Sequence, residues 1–224
     1  MNTILTLKAL IYTCLALYSA SLIFNAIRKL RIYRIADYLL VALLGLYLLI
    51  TLILLGNELS WWDFLSSGVR FHLPSYGLLL ISGVIFALTY AVFRSEDPGW
   101  LWLVTSLGIV IISFIADALA VFPGQASWGK APEGYLHSIL STVILALGWG
   151  GFIIWTSIEV LQAYRHTDRS VVRQRALYWT SALILYTGSS ILFLLGRGLL
   201  GCALLLLAII ILNFLVLTYR LPDL

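Results

Sequence analysis

Apolar residues in this chain are gathered into long runs instead of alternating with polar ones. Seven runs, each bounded by charged or polar residues, extend from Thr3 to Ile27, Ala36 to Gly56, Pro74 to Phe93, Trp100 to Val121, Leu136 to Tyr164, Ala176 to Leu195 and Leu199 to Tyr219. Each is close to the roughly 20 residues a helix needs to cross a hydrocarbon core of about 30 Å. In lipid an open strand or irregular loop leaves backbone groups unpaired, so all seven runs predict helices. The last two must be separate, because one helix from Ala176 to Tyr219 would be about 66 Å long at about 1.5 Å per residue, twice the core thickness. Gly196-Arg197-Gly198 supplies the turn between them. The expected fold is all-α: one polytopic membrane domain over residues 1–224 with seven transmembrane helices.

Composition narrows this further. Of 224 residues, 62% are hydrophobic and 11% charged, with a mean hydropathy of +1.01, values outside the soluble globular range. Seven crossings with short connections leave no room for a soluble catalytic domain. The net charge of +4 therefore bears on orientation and not on nucleic acid. Lys and Arg number ten on the side holding the connections after runs one, three and five and the C-terminal tail. The other side has four: Lys8, Arg70, Lys130 and Arg197. This asymmetry places the N-terminus outside and the C-terminus in the cytoplasm. The first run is a retained span and not a signal peptide, since its basic cluster (Arg28, Lys29, Arg31, Arg34) follows the apolar residues. Cys14 and Cys202 lie singly in apolar runs and read as small packing residues.

Ionisable residues inside the apolar runs are the candidates for chemistry, because each costs about 2.5–3.5 kcal/mol at a helix centre unless paired or solvated. Asp117 lies about one turn from the outer end of run four, and His137 stands at a similar depth at the start of run five. With Trp61 and Trp128 of the outer connections they outline a polar spot beneath an aromatic rim, a candidate ligand site. The same residues also fit a solvated helix end and an interfacial aromatic belt. Lys8 is placed to snorkel to the interface, and Asn213 to hydrogen-bond to another helix. Gly83, Ala87 and Ala91, the cluster Gly148, Gly150 and Gly151, and Gly188 with Ser189 and Ser190 are small residues that allow close helix packing.

Several classes find no support in the residues. The three histidines, His72, His137 and His166, do not make axial pairs for haem, and no HExxH run suggests zinc hydrolysis. No lysine lies deep in the last run, where a retinal protein needs one. Clear internal repeats and broken mid-membrane helices of the transporter kind are missing as well. Neither Ser189 nor Ser190 has a histidine nearby in sequence to act as base. No cofactor or metal is expected, and the chain is read as non-enzymatic.

The stretch Ala163-Tyr164-Arg165-His166-Thr167-Asp168-Arg169, then Arg173-Gln174-Arg175 before run six, and the exit Thr218-Tyr219-Arg220-Leu221 resemble the N-terminal seven-helix membrane region of bacterial sensor histidine kinases. The likeness spans the whole chain in topology and about 60 residues by motif. It implies a sensory input module of the bacterial inner membrane, which passes a signal through small movements of its last helices to a cytoplasmic signalling protein or a C-terminal module. It carries no ligand-contact pattern onto individual residues. The phosphoacceptor and nucleotide-binding motifs of that family are missing from the chain. The competing reading is a structural or accessory subunit packed among other membrane subunits, and a third is a small transporter or intramembrane enzyme. The first expects an outward cavity lined by Asp117, the second small-residue faces without a partner, and the third an aqueous path to Glu159 or Asn213.

Overall fold

A computed structural model of the chain describes residues 3–29, 35–59, 67–93, 99–121, 139–167, 169–195 and 197–218. They form seven helices: α1 (Thr3–Lys29), α2 (Ile35–Glu58), α3 (Ser67–Phe93), α4 (Gly99–Val121), α5 (Ile139–Arg165), α6 (Ser170–Leu194) and α7 (Gly198–Thr218). No strand occurs among the described residues. Six helices are long and apolar enough to cross a membrane, and in α4 the apolar stretch covers Leu101–Ala116. The chain is a helical membrane protein.

Helix ends depart from the expected spans where the backbone continues beyond the apolar zone. The third helix begins at Ser67, ahead of Pro74, and the sixth begins at Ser170, ahead of Ala176. Hydropathy marks where a chain meets hydrocarbon, whereas a helix persists for as long as its i−4 hydrogen bonds do. Arg173 and Arg175, expected in a connection, therefore lie in the first turns of α6. Pro74 falls within α3 and not at its start.

Consecutive helices pack against one another, and α3 is the hub, touching α2, α4, α5 and α6, while α7 packs on α6 and α2. Of the α3 span 72% is buried, against 22% of the α1 span. α1 lies at the edge on α2 and reaches α7 through Tyr12, which is buried with Leu55 and Cys202. The main core is mostly aliphatic, with Tyr47, Trp179 and Tyr186 set into it, and joins α2, α3, α6 and α7 around Leu43, Ile81, Leu88 and Ile209.

Close approach depends on glycine at several contacts, among them Gly77 of α3, whose Cβ would come within 2.8 Å of Ile50 of α2. A Cβ on Gly83 would collide with the Ser106 side chain of α4, and one on Gly201 would come within 2.9 Å of the Phe193 ring of α6. The α6–α7 turn is closed by an Arg197 N–H donating to the Leu192 carbonyl at 2.8 Å, the six-residue bond that ends many helices. The glycines of α5 divide: Gly148 packs near Ile109 and Leu79, whereas a Cβ on Gly150 or Gly151 would meet nothing within 4 Å.

Candidate functional site

Of the residues singled out in sequence, Asp117 falls near the end of α4, but its side chain lies outside the described residues, as do Trp61, Trp128 and His137 altogether. In the described part of the molecule, side-chain hydrogen bonds join α6 to its neighbours α3 and α7.

Trp179 and Tyr186 of α6 are among the largest fully buried side chains, each 0% exposed. Both are apolar bodies with one polar tip, which needs a partner once buried. Trp179 Nε1 donates to Thr89 Oγ1 at 2.9 Å, and the Tyr186 hydroxyl donates to the Leu78 carbonyl at 2.6 Å and lies 3.2 Å from Ser82 Oγ. The register follows from spacing: 179 and 186 are seven apart on α6, and 82 and 89 are seven apart on α3. Seven residues are two helical turns, so each pair lies on one face, and antiparallel packing matches them. That shared spacing was the sequence signal for this seam. It is carried by neutral side chains, which the cost of burying charge does not single out.

The other side of α6 is tied to α7, where Ser189 Oγ donates to the Gly201 carbonyl at 2.7 Å. Ser190 Oγ donates to the Tyr186 carbonyl at 3.0 Å within α6. Both hydroxyl protons are thus engaged by backbone oxygens.

Towards α5 the packing changes. Between α5 and α6 runs a cleft of about 840 Å³, lined by Ser157 and Tyr164 of α5 and by Ala176, Thr180, Thr187 and Gly188 of α6, among aliphatic neighbours. Small side chains at facing positions leave this volume open. The serine and threonine hydroxyls of the lining are satisfied within their own helices, with Ser157 donating to Ile153, Thr180 to Ala176 and Thr187 to Leu183, each at 2.8 Å. The cleft therefore presents an apolar wall, suited to a hydrocarbon chain.

At the α5–α6 end of the molecule the cleft meets charge. Arg165, Arg169 and Arg173 are exposed, and the Arg173 guanidinium stacks on the Tyr164 ring, 5.1 Å from its centroid. Deeper in the hairpin Glu159 and Arg175 are 6% and 5% exposed, and both are engaged by neighbouring groups. Glu159 lies six residues before the end of α5 and Arg175 five residues after the start of α6, so both stand about 8 Å inside the hairpin at about 1.5 Å per residue.

At the opposite end Lys8 does more than extend to an interface: its ammonium pairs with Glu58 of α2 at 3.5 Å. The Asn213 Oδ1, expected to meet another helix, is buried without a hydrogen-bond partner among the described residues. Among those residues, no group of three or more His, Cys, Asp or Glu is placed to hold a metal ion. Comparison with protein-family models, with curated proteins and with solved structures finds no match to this chain.

Proposed function

We propose that this chain is a receptor-like input module of the bacterial inner membrane, non-enzymatic by itself, that passes a signal to a cytoplasmic partner. In this reading α4 is the seventh crossing, the N-terminus lies outside, and the arginine-rich α5–α6 connection faces the cytoplasm. The resemblance to the membrane region of sensor histidine kinases belongs to the same proposal, as does an outer polar site at Asp117 and His137.

The observation that carries the reading is the unequal attachment of α6. Side-chain hydrogen bonds hold it to α3 and α7, while its packing on α5 leaves an open cleft along part of their interface. A helix fixed on one side and loosely filled on the other has two packings that an occupant can bias, by no more than its differential affinity for them. The Ser189–Gly201 bond and the contact of Gly201 with Phe193 favour α6 and α7 moving as one piece. Closing the cleft would then reorient the connection between α5 and α6. A photo-reactive residue in place of the exposed His166, in the full chain in its native membrane, tests this. The expected adduct is a cytoplasmic protein bearing a phosphotransfer or comparable signalling module; an adduct only with a stoichiometric membrane subunit would overturn the reading.

One observation favours the accessory-subunit alternative. A shallow notch of about 280 Å³ between α4 and α5, lined by Gly148, Gly151 and Trp155, leaves a small-residue face open in the single chain. A photo-reactive residue at Trp155 that captured a transmembrane helix of another subunit would support that alternative.

A further inference from the structure

We propose that the α5–α6 cleft is a binding site for one anionic phospholipid of the adjoining leaflet, its acyl chain in the cleft and its phosphate among Arg165, Arg169 and Arg173. The inference rests on the reading of this cleft as the input site and names its occupant. Two independent features meet there, an apolar cleft and a cationic mouth.

The cleft has the dimensions of a lipid chain. Its lining runs from Ile153 to Tyr164 on α5 and from Ala176 to Ile191 on α6, about 16 Å and 22 Å at about 1.5 Å per residue. One leaflet contributes about half of the roughly 30 Å hydrocarbon core. A chain entering at Tyr164 and Ala176 therefore reaches the midplane with its length covered. The serine and threonine hydroxyls of the lining donate to backbone carbonyls, so they do not compete for polar contacts along that path.

The mouth has the complementary charge. Tyr164 belongs to the cleft lining, and the Arg173 guanidinium above its ring stands where a lipid phosphate would lie once its tail is seated. Arg165 ends α5 and Arg169 precedes α6, both exposed. Against these the hairpin end has one acidic residue in sequence, Asp168, while Glu159 is buried deeper. The first turn of α6 has no acidic residue, and its N-cap, Arg169, makes no side-chain cap, so the positive end of that helix adds to the arginines. Guanidinium groups bind phosphate oxygens through paired N–H donors.

Native mass spectrometry of the full chain, equilibrated in detergent with equal phosphatidylglycerol and phosphatidylcholine of identical tails, tests the site. The expected result is one tightly retained lipid per chain, phosphatidylglycerol over phosphatidylcholine by about tenfold, equivalent to 1.4 kcal/mol. Charge and cleft separate on substitution. Replacing Arg165, Arg169 and Arg173 with glutamine, all on the surface, should bring the preference to within about twofold while one lipid is still retained. Thr180→Trp or Thr187→Trp, each filling the cleft, should abolish retention of either lipid in protein that remains monodisperse. Glycerol phosphate, the headgroup without a tail, should not displace the lipid. Equal retention of the two lipids by the unaltered chain, undiminished retention in both tryptophan variants, or displacement by glycerol phosphate would each overturn the proposal. Lipid retention is read on the purified chain and partner capture at His166 in the membrane, so failure of one is distinguishable from failure of the other.

Discussion

Replacing Tyr186 with phenylalanine removes one oxygen from the centre of the bundle and little else. The ring is fully buried, and phenylalanine keeps its volume, so no cavity forms and the loss is that of the hydroxyl's hydrogen bonding. Its one proton goes to the Leu78 carbonyl at 2.6 Å, the shorter of its two contacts. That carbonyl also accepts from Ser82 Oγ at 3.0 Å, so no acceptor is orphaned by the change. The expected loss is then the net value of one hydrogen bond within a membrane bundle, about 0.6 kcal/mol on average and up to about 1.7. Tyr186→Ala, which also opens a cavity, should cost about 3–5 kcal/mol by comparison with other large aromatic truncations. Because the proton is directed to the backbone, Ser82→Ala should couple only weakly to Tyr186→Phe, by less than about 0.5 kcal/mol in a double-mutant cycle. Reversible unfolding in mixed dodecylmaltoside–SDS micelles, followed by tryptophan fluorescence, measures all four species. A loss above about 3 kcal/mol for Tyr186→Phe, or a coupling above about 1.5 kcal/mol with Ser82, would refute this account of the seam.

Other expectations use the same unfolding assay. Gly83→Ala should destabilise by about 1–3 kcal/mol through overpacking against Ser106, and Ser106→Gly in the same chain should recover most of it; absence of recovery would place the strain elsewhere. Gly151→Ala, with open space at its Cβ, should be neutral or stabilise by up to about 1 kcal/mol, and a clear loss would reveal a contact at that face. Neutralising Lys8 or Glu58 should cost about 0.2–1 kcal/mol, diminishing as salt rises, because the 3.5 Å pair is partly exposed; a salt-independent loss of several kcal/mol would contradict that. Asn213→Leu should be neutral or stabilising by about 1 kcal/mol, since it removes a buried oxygen that lacks a partner among the described residues; marked destabilisation would mean that the amide is satisfied in the membrane.

Hydropathy alone located the helices, because hydrocarbon sorts residues by composition over a length of about 20. It was less able to place their ends: Ser67 and Ser170 begin helices in stretches that read as connections, since a helix leaving the apolar zone loses its hydropathy signal and keeps its hydrogen bonds. Arg175 shows the difference most clearly. In sequence it is one of four arginines near a loop; in the fold it is 5% exposed, at the depth where α5 supplies Glu159. No window on one helix contains that information, because burial is decided by what the neighbouring helices cover. The Trp179–Thr89 and Tyr186–Ser82 pairings were legible in principle from matched spacings of seven. The cleft between α5 and α6 was not, since an empty volume depends on how far apart two backbones settle.

The seam between α3 and α6 also bears on the order in which the chain is made. Thr89 and Ser82 leave the ribosome 90 and 104 residues before Trp179 and Tyr186, an interval of about 5–20 seconds at about 5–20 residues per second. For that time the helix destined for the centre has no sixth helix beside it. Ser82 and Thr89 already donate to carbonyls of their own helix, Leu78 and Ile85, so neither hydroxyl hydrogen is left unpaired in lipid during the wait. What α6 later brings is a pair of donors for acceptor capacity that α3 still holds in reserve. The most buried helix of the bundle is thus chemically equipped to be inserted early and completed late.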